Sequence, residues 1–158
     1  MCFRAWLPCL LLSLGALAAR AEEAPPSRYS TVEIEKAKTS IYIGHVTMTM
    51  PPFTRGKDGV FASTYTAKVF PYFFYNDKGK ILIEVSDENL RKLEKGETIQ
   101  FTGRGLSDKG EEYHVEGRAV PADSKSGKIK VKVAVTKKIE LIFNTTYRFP
   151  EPKKENAK

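Results

Sequence analysis

Between residues 31 and 149, apolar and polar positions alternate with a period of two. Successive residues of an extended strand point to opposite faces, so this alternation predicts strands with one buried side. The alternating runs cover residues 31–37, 40–50, 60–75, 81–85, 98–105, 111–120, 128–136 and 139–149, and they are rich in β-branched and aromatic residues. The segments between them carry turn chemistry. Asn76-Asp77-Lys78-Gly79 and Ser107-Asp108-Lys109-Gly110 each open on a short polar residue and close on a glycine free to take positive φ, which predicts two tight hairpins. Gly56-Lys57-Asp58-Gly59 and the stretch Asp123-Ser124-Lys125-Ser126-Gly127 read as looser hairpin loops. Sequential hairpins require antiparallel pairing, because parallel neighbours need long crossovers.

One segment breaks the pattern. Ser86 and Asp87 offer an N-cap, acids follow in the first turn, and Lys95-Gly96 closes the stretch. A two-turn helix at residues 86–95 follows, burying Leu90 and Leu93 and placed to plug a barrel end or cover a sheet edge. The fold class is therefore mainly β: a single antiparallel β-barrel or sandwich of about eight strands with one short helix. A kink at Pro71, inside the long run 60–75, resembles a strand turning a barrel corner and favours the barrel.

The amino terminus has another periodicity. Arg4 precedes an apolar run from Trp6 to Ala19, which ends on Ala19-Arg20-Ala21 ahead of two glutamates. This order predicts a signal peptide over residues 1–21, too short to span a bilayer as a helix, and an exported chain that is periplasmic or secreted. Residues 22–30 are then a flexible leader, 31–149 the β domain and 150–158 a disordered tail. Cys2 and Cys9 leave with the signal, so the mature chain has no disulfide, cysteine-ligated metal or cysteine nucleophile. Removing Arg4 and Arg20 and no acid from a net charge of +7 leaves +5, a balance suited to anionic envelope lipid or polymer. Export argues against a nucleic-acid partner.

Two stretches carry candidate binding chemistry. Phe70, Tyr72, Phe73, Phe74 and Tyr75 crowd aromatic rings around Pro71, and on a strand such a run places rings on both faces. One face suits the core, and the other suits a ligand wall or an exposed patch for lipid chains, sugar rings or a protein. Lys128, Lys130 and Lys132 alternate with Ile129, Val131 and Val133, which lines three ammonium groups along one outward face. Such a row either contacts phosphate or carboxylate groups of the envelope or keeps an edge strand from pairing with another molecule.

Catalytic signals are absent by comparison. His45 and His114 fall in separate strands with no HxH or HxxxH spacing, and Glu112, His114 and Glu116 share one strand face as any solvated strand does. Glu33, Glu35 and Glu84 are further acids that no local motif singles out. The chain has no G-x-S-x-G elbow, glycine-rich phosphate loop or HExxH. No catalytic residue, metal or cofactor is assigned. Asn144-Thr145-Thr146 fits the N-glycosylation pattern.

Val135-Thr136-Lys137-Lys138-Ile139-Glu140-Leu141 resembles the terminal hairpin of the YceI-like periplasmic proteins, approximately V-T-K-P-V-x-L, with Lys138 in place of the proline. The family's amino-terminal D-x-x-H-S pattern has no counterpart. The resemblance spans seven residues, implies a lipocalin-like antiparallel barrel and a polyisoprenoid lipid ligand, and carries over no binding residue. The ending Thr145-Thr146-Tyr147-Arg148-Phe149 is similar to the final strand of outer-membrane barrels, but those need an outward apolar band that residues 31–37 and 111–120 lack.

These readings point to an exported, non-enzymatic β-domain of the cell envelope that binds a small apolar or amphipathic ligand. The alternatives are an interaction protein acting through the lysine-lined strand and a hydrolase whose site the fold assembles.

Overall fold

The computed structural model describes residues 29–150. The signal peptide read at 1–21, residues 22–28 of the leader and residues 151–158 of the tail lie outside the described residues. Ten strand segments follow one another: β1 (Thr31–Ile34), β2 (Ala37–Ser40), β3 (His45–Thr49), β4 (Phe53–Arg55), β5 (Val60–Phe70), β6 (Asp77–Glu84), β7 (Ile99–Ser107), β8 (Glu112–Pro121), β9 (Ser126–Thr136) and β10 (Ile139–Arg148). Every pairing is antiparallel, and the sheet closes through β5–β6–β7–β8–β9–β10–β1–β4 and back to β5. The architecture is thus a barrel and not a sandwich.

The first four segments are two bent strands. Thr31 pairs with Thr54, and Ala37 through Ser40 pair with Met48 through His45 in the same register, so one hairpin runs through both bends. Counted this way the barrel has eight strands. The bend between β3 and β4 follows from Pro51 and Pro52, which have no N–H for the ladder. From the Thr49–Thr66 pair to the Thr54–Ala62 pair the bent strand advances five residues against four on β5, a bulge that absorbs the extra residue. Ser63 Oγ donates to the Pro51 carbonyl at 2.9 Å and fixes the bend.

Several expected boundaries are corrected, beginning with the strand expected over 31–37, which breaks between Ile34 and Ala37. The strand expected over 40–50 is interrupted by a turn at residues 41–44, where Gly44 takes φ +110° and the Ile41 N–H donates to the Gly44 carbonyl at 3.2 Å. The strand expected over 60–75 stops at Phe70. The turn expected at Asn76-Asp77-Lys78-Gly79 falls at 71–76 instead, and Asp77 through Glu84 are all strand. Pro71 cannot extend the β5 ladder, and Asn76 Oδ1 accepts the Val69 N–H at 2.8 Å, turning the chain before Asp77. The segment Phe53–Arg55, which periodicity does not predict, is a strand that pairs on both sides. The turns at Gly56–Gly59 and Ser107–Gly110 form as expected, with Gly59 at φ +80° and Gly110 at +88°.

Inward positions of the alternating strands fill the barrel. Phe53, Phe61, Ile81, Ile83, Phe101, Val115, Ile129, Val133, Phe143 and Tyr147 are buried. The helix α1 (Asp87–Glu94) closes one mouth. Ser86 Oγ accepts the Asn89 N–H at 3.2 Å as its N-cap, Gly96 follows its end at φ +84°, and Leu90 and Leu93 sink into the barrel. Burying each leucine contributes about 1.5–3 kcal/mol. The last two residues of the expected leader also join the body: Tyr29 stacks on Phe149 with centroids 4.2 Å apart, and the Ser30 carbonyl accepts the Arg55 N–H at 2.8 Å.

Outside, the same strands present Lys68, Lys80, Arg104, Glu116, Arg118, Lys128, Lys130 and Lys132 to solvent. Apolar residues inside and charges outside are the reverse of the arrangement in a membrane-spanning barrel. Among the described residues, no helix is long and apolar enough to cross a membrane.

Candidate functional site

The aromatic run lies on the mouth opposite α1. Because β5 ends at Phe70, the next residues form a 3-10 turn, Phe73–Tyr75, and not a strand. The Tyr75 N–H donates to the Tyr72 carbonyl at 3.0 Å and the Asn76 N–H to the Phe73 carbonyl at 3.1 Å, which turns the rings outward. Phe73 is 62 % exposed, Phe74 73 % and Tyr75 65 %; Phe70 is exposed and Tyr72 half-buried. None of these five rings lines the lumen.

A second turn meets them. His45 pairs with Phe70 across β3 and β5 and stacks on its ring at 5.4 Å, so the 41–44 turn lies beside Pro71. A Cβ on Gly44 would collide with the Phe70 carbonyl oxygen, and only glycine allows this approach. Tyr42 and Ile43 at its tip are fully and mostly exposed. The two turns thus bring Tyr42, Ile43, Phe70, Phe73, Phe74 and Tyr75 to one rim. Sequence periodicity misses Tyr42 and Ile43, because it places them in a continuous strand. Lys38 and Lys68 flank the rim in one cross-strand row with Thr47 between them.

The lumen itself is narrow. A cavity of about 80 Å³ remains inside, walled by Val32, Met48, Phe61, Phe101, Phe143 and other apolar side chains. Pockets that take a drug-sized molecule measure about 300–1,000 Å³. The rim end is closed by a polar cluster drawn from β5, β6, β7 and the turn that follows β7. Tyr65 Oη donates to Asp77 Oδ2 at 2.7 Å, Ser107 Oγ donates to Asp77 Oδ1 at 2.6 Å, and Lys109 Nζ lies 4.0 Å from Asp77. Burial pushes the Asp77 carboxyl up, but hydrogen bonds from Ser107, Tyr65 and the Lys78 backbone outweigh it and hold the group below its ordinary value. Burial, then the Asp77 bond, raises the Tyr65 phenol. A carboxylate held ionised with both oxygens occupied is a weak general base. The cluster reads as a polar plug. No sequence spacing announces it, because its members come from separate strands.

The lysine row is outward, as its alternation implies, and the ladder divides it. Lys132 stands opposite Glu116, whereas Lys130 stands opposite Arg118, and Lys128 opposite Val120. On the other side Lys130 faces Asn144 and Lys128 faces Thr146. A shallow groove over this face is lined by Arg118, Lys128, Lys130, Asn144 and Thr146 and contains no carboxylate.

The remaining candidates stay apart. His45 and His114 sit on the non-adjacent strands β3 and β8, and His114 Nε2 lies 3.3 Å from Glu116 at an exposed position. Glu33 bonds Arg148 at 2.7 Å, and Glu84 and Glu112 are exposed. Glu35, also exposed, uses its carbonyl to accept Thr145 Oγ1 at 2.9 Å. Among the described residues, no group of three or more His, Cys, Asp or Glu is placed to hold a metal ion.

Comparison of the chain with family models, curated proteins and solved structures finds no match, so the resemblance of residues 135–141 to the YceI-like hairpin stays local.

Proposed function

We propose that this protein is an exported, non-enzymatic binding barrel of the cell envelope that engages lipid at a bilayer interface through its aromatic rim. The observation that carries this reading is the rim: six exposed large apolar residues gathered on two adjoining turns and the end of β5 between them. Exposed apolar patches of this kind mark interaction sites, and tyrosine suits the headgroup region because it joins an apolar ring to a hydroxyl. Lys38 and Lys68, on the outer face next to the rings, supply charge complementary to anionic headgroups. The small lumen favours surface engagement over enclosure of a whole lipid.

Vesicle flotation tests this. The protein should float with vesicles of phosphatidylglycerol and phosphatidylcholine, and more weakly with phosphatidylcholine alone. Replacing Phe73→Ser and Phe74→Ser together should cut binding at least tenfold, since each inserted ring is worth about 1.5–3 kcal/mol when fully buried. Undiminished flotation of the double variant would refute the reading.

A further inference from the structure

The outer face of β8, β9 and β10 holds a charge arrangement that the barrel does not need. An outward lysine row on an edge strand prevents pairing with other chains, but β9 is paired with both β8 and β10 from Gly127 through Ala134 in a closed sheet, so its lysines have no edge to protect. Arg118 and Lys130 stand directly opposite each other across the β8–β9 ladder. Like charges so placed destabilise a sheet. Neither forms an ion pair among the described residues, and the groove beside them contains no acid. Lys128 adds a third cation one row on, and Asn144 and Thr146 bring a side-chain amide and a hydroxyl to the same groove.

We propose that this groove binds the phosphate groups of a phosphorylated polymer. A phosphate presents several oxygens around one centre, so one group can accept from the Arg118 guanidinium and the Lys130 ammonium at once, converting their repulsion into shared attraction. The cross-strand row Arg118–Lys130–Asn144 spans two strand spacings, about 10 Å, which fits successive phosphates of a chain better than one isolated anion. Lys132 is outside the site because Glu116 stands opposite it. The groove lies toward the α1 mouth, away from the aromatic rim, so a polymer could be held while the rim meets a bilayer.

The test uses the purified protein and long-chain inorganic polyphosphate at low salt. The triple variant Arg118→Gln, Lys128→Gln, Lys130→Gln should bind at least tenfold more weakly. A control of equal charge, Lys57→Gln, Lys95→Gln, Lys132→Gln, should change binding less than twofold. Thermal unfolding checks both folds, and the single change Lys130→Gln should raise the midpoint of the unliganded protein by relieving the Arg118 repulsion. Equal weakening by the two triples would overturn the proposal, because net charge alone would then explain binding. Poly-glutamate binding as tightly as polyphosphate would overturn the phosphate assignment. Loss of anionic-vesicle binding in the first triple alone would make the groove a bilayer contact and overturn the polymer assignment, whereas retained vesicle binding with lost polyphosphate binding supports the proposal independently of the rim.

Discussion

The ring of Phe101 occupies the space a side chain at Gly117 would need: a Cβ there would overlap Phe101 Cζ. The two residues face each other across β7 and β8, so the glycine lets a phenyl ring lie flat inside the barrel. Gly117→Ala should therefore cost about 1–3 kcal/mol by overpacking. Phe101→Leu should shrink that penalty, because contacting residues are energetically coupled. Urea denaturation of the two single variants and the double variant measures both.

Arg55 staples the helix to the barrel mouth. Its guanidinium donates to Asp87 Oδ1 at 2.6 Å and to the Val85 and Gly59 carbonyls at 3.3 and 3.2 Å. Loss of the half-buried guanidinium removes three hydrogen bonds at once, so Arg55→Ala should cost about 2 kcal/mol and Asp87→Asn less. Hydrogen exchange should show residues 87–94 opening ahead of the strands. Uniform loss of protection over the whole barrel would show that the pair does not act locally.

Asp77 makes stability depend on acid. Its folded value is depressed, so its contribution is present above the unfolded carboxylate value of about 4 and is lost as pH falls through the folded one. Asp77→Asn should lower stability at neutral pH by about 2 kcal/mol, through weaker bonds from Tyr65 and Ser107. It should also flatten the fall in stability below pH ~4. Parallel pH profiles for the two proteins would contradict the assignment.

Much of the barrel was legible because period-two alternation survives wherever one face is buried. Ile129, Val131 and Val133 point inward and Lys128, Lys130 and Lys132 outward, as their spacing requires. The bends were not legible. Tyr42 and Ile43 fit a strand pattern, and only the close approach of Gly44 to Phe70 makes them a turn tip. Phe53–Arg55 is three residues long behind two prolines, too short for periodicity to register. The pairing of Arg118 with Lys130 and the meeting of Tyr65, Asp77 and Ser107 depend on ladder register, which is a property of the closed sheet and not of local spacing.

A single tryptophan reports most directly on rim docking. Trp6 is the only native tryptophan, so in a chain lacking residues 1–21 a residue introduced by Phe74→Trp is the sole indole. With anionic vesicles its emission should shift to the blue and be quenched by spin-labelled lipid, whereas Val120→Trp, exposed near the α1 mouth, should do neither. A bound protein whose position-74 indole stays in water, or whose position-120 indole shifts as far, would contradict the account.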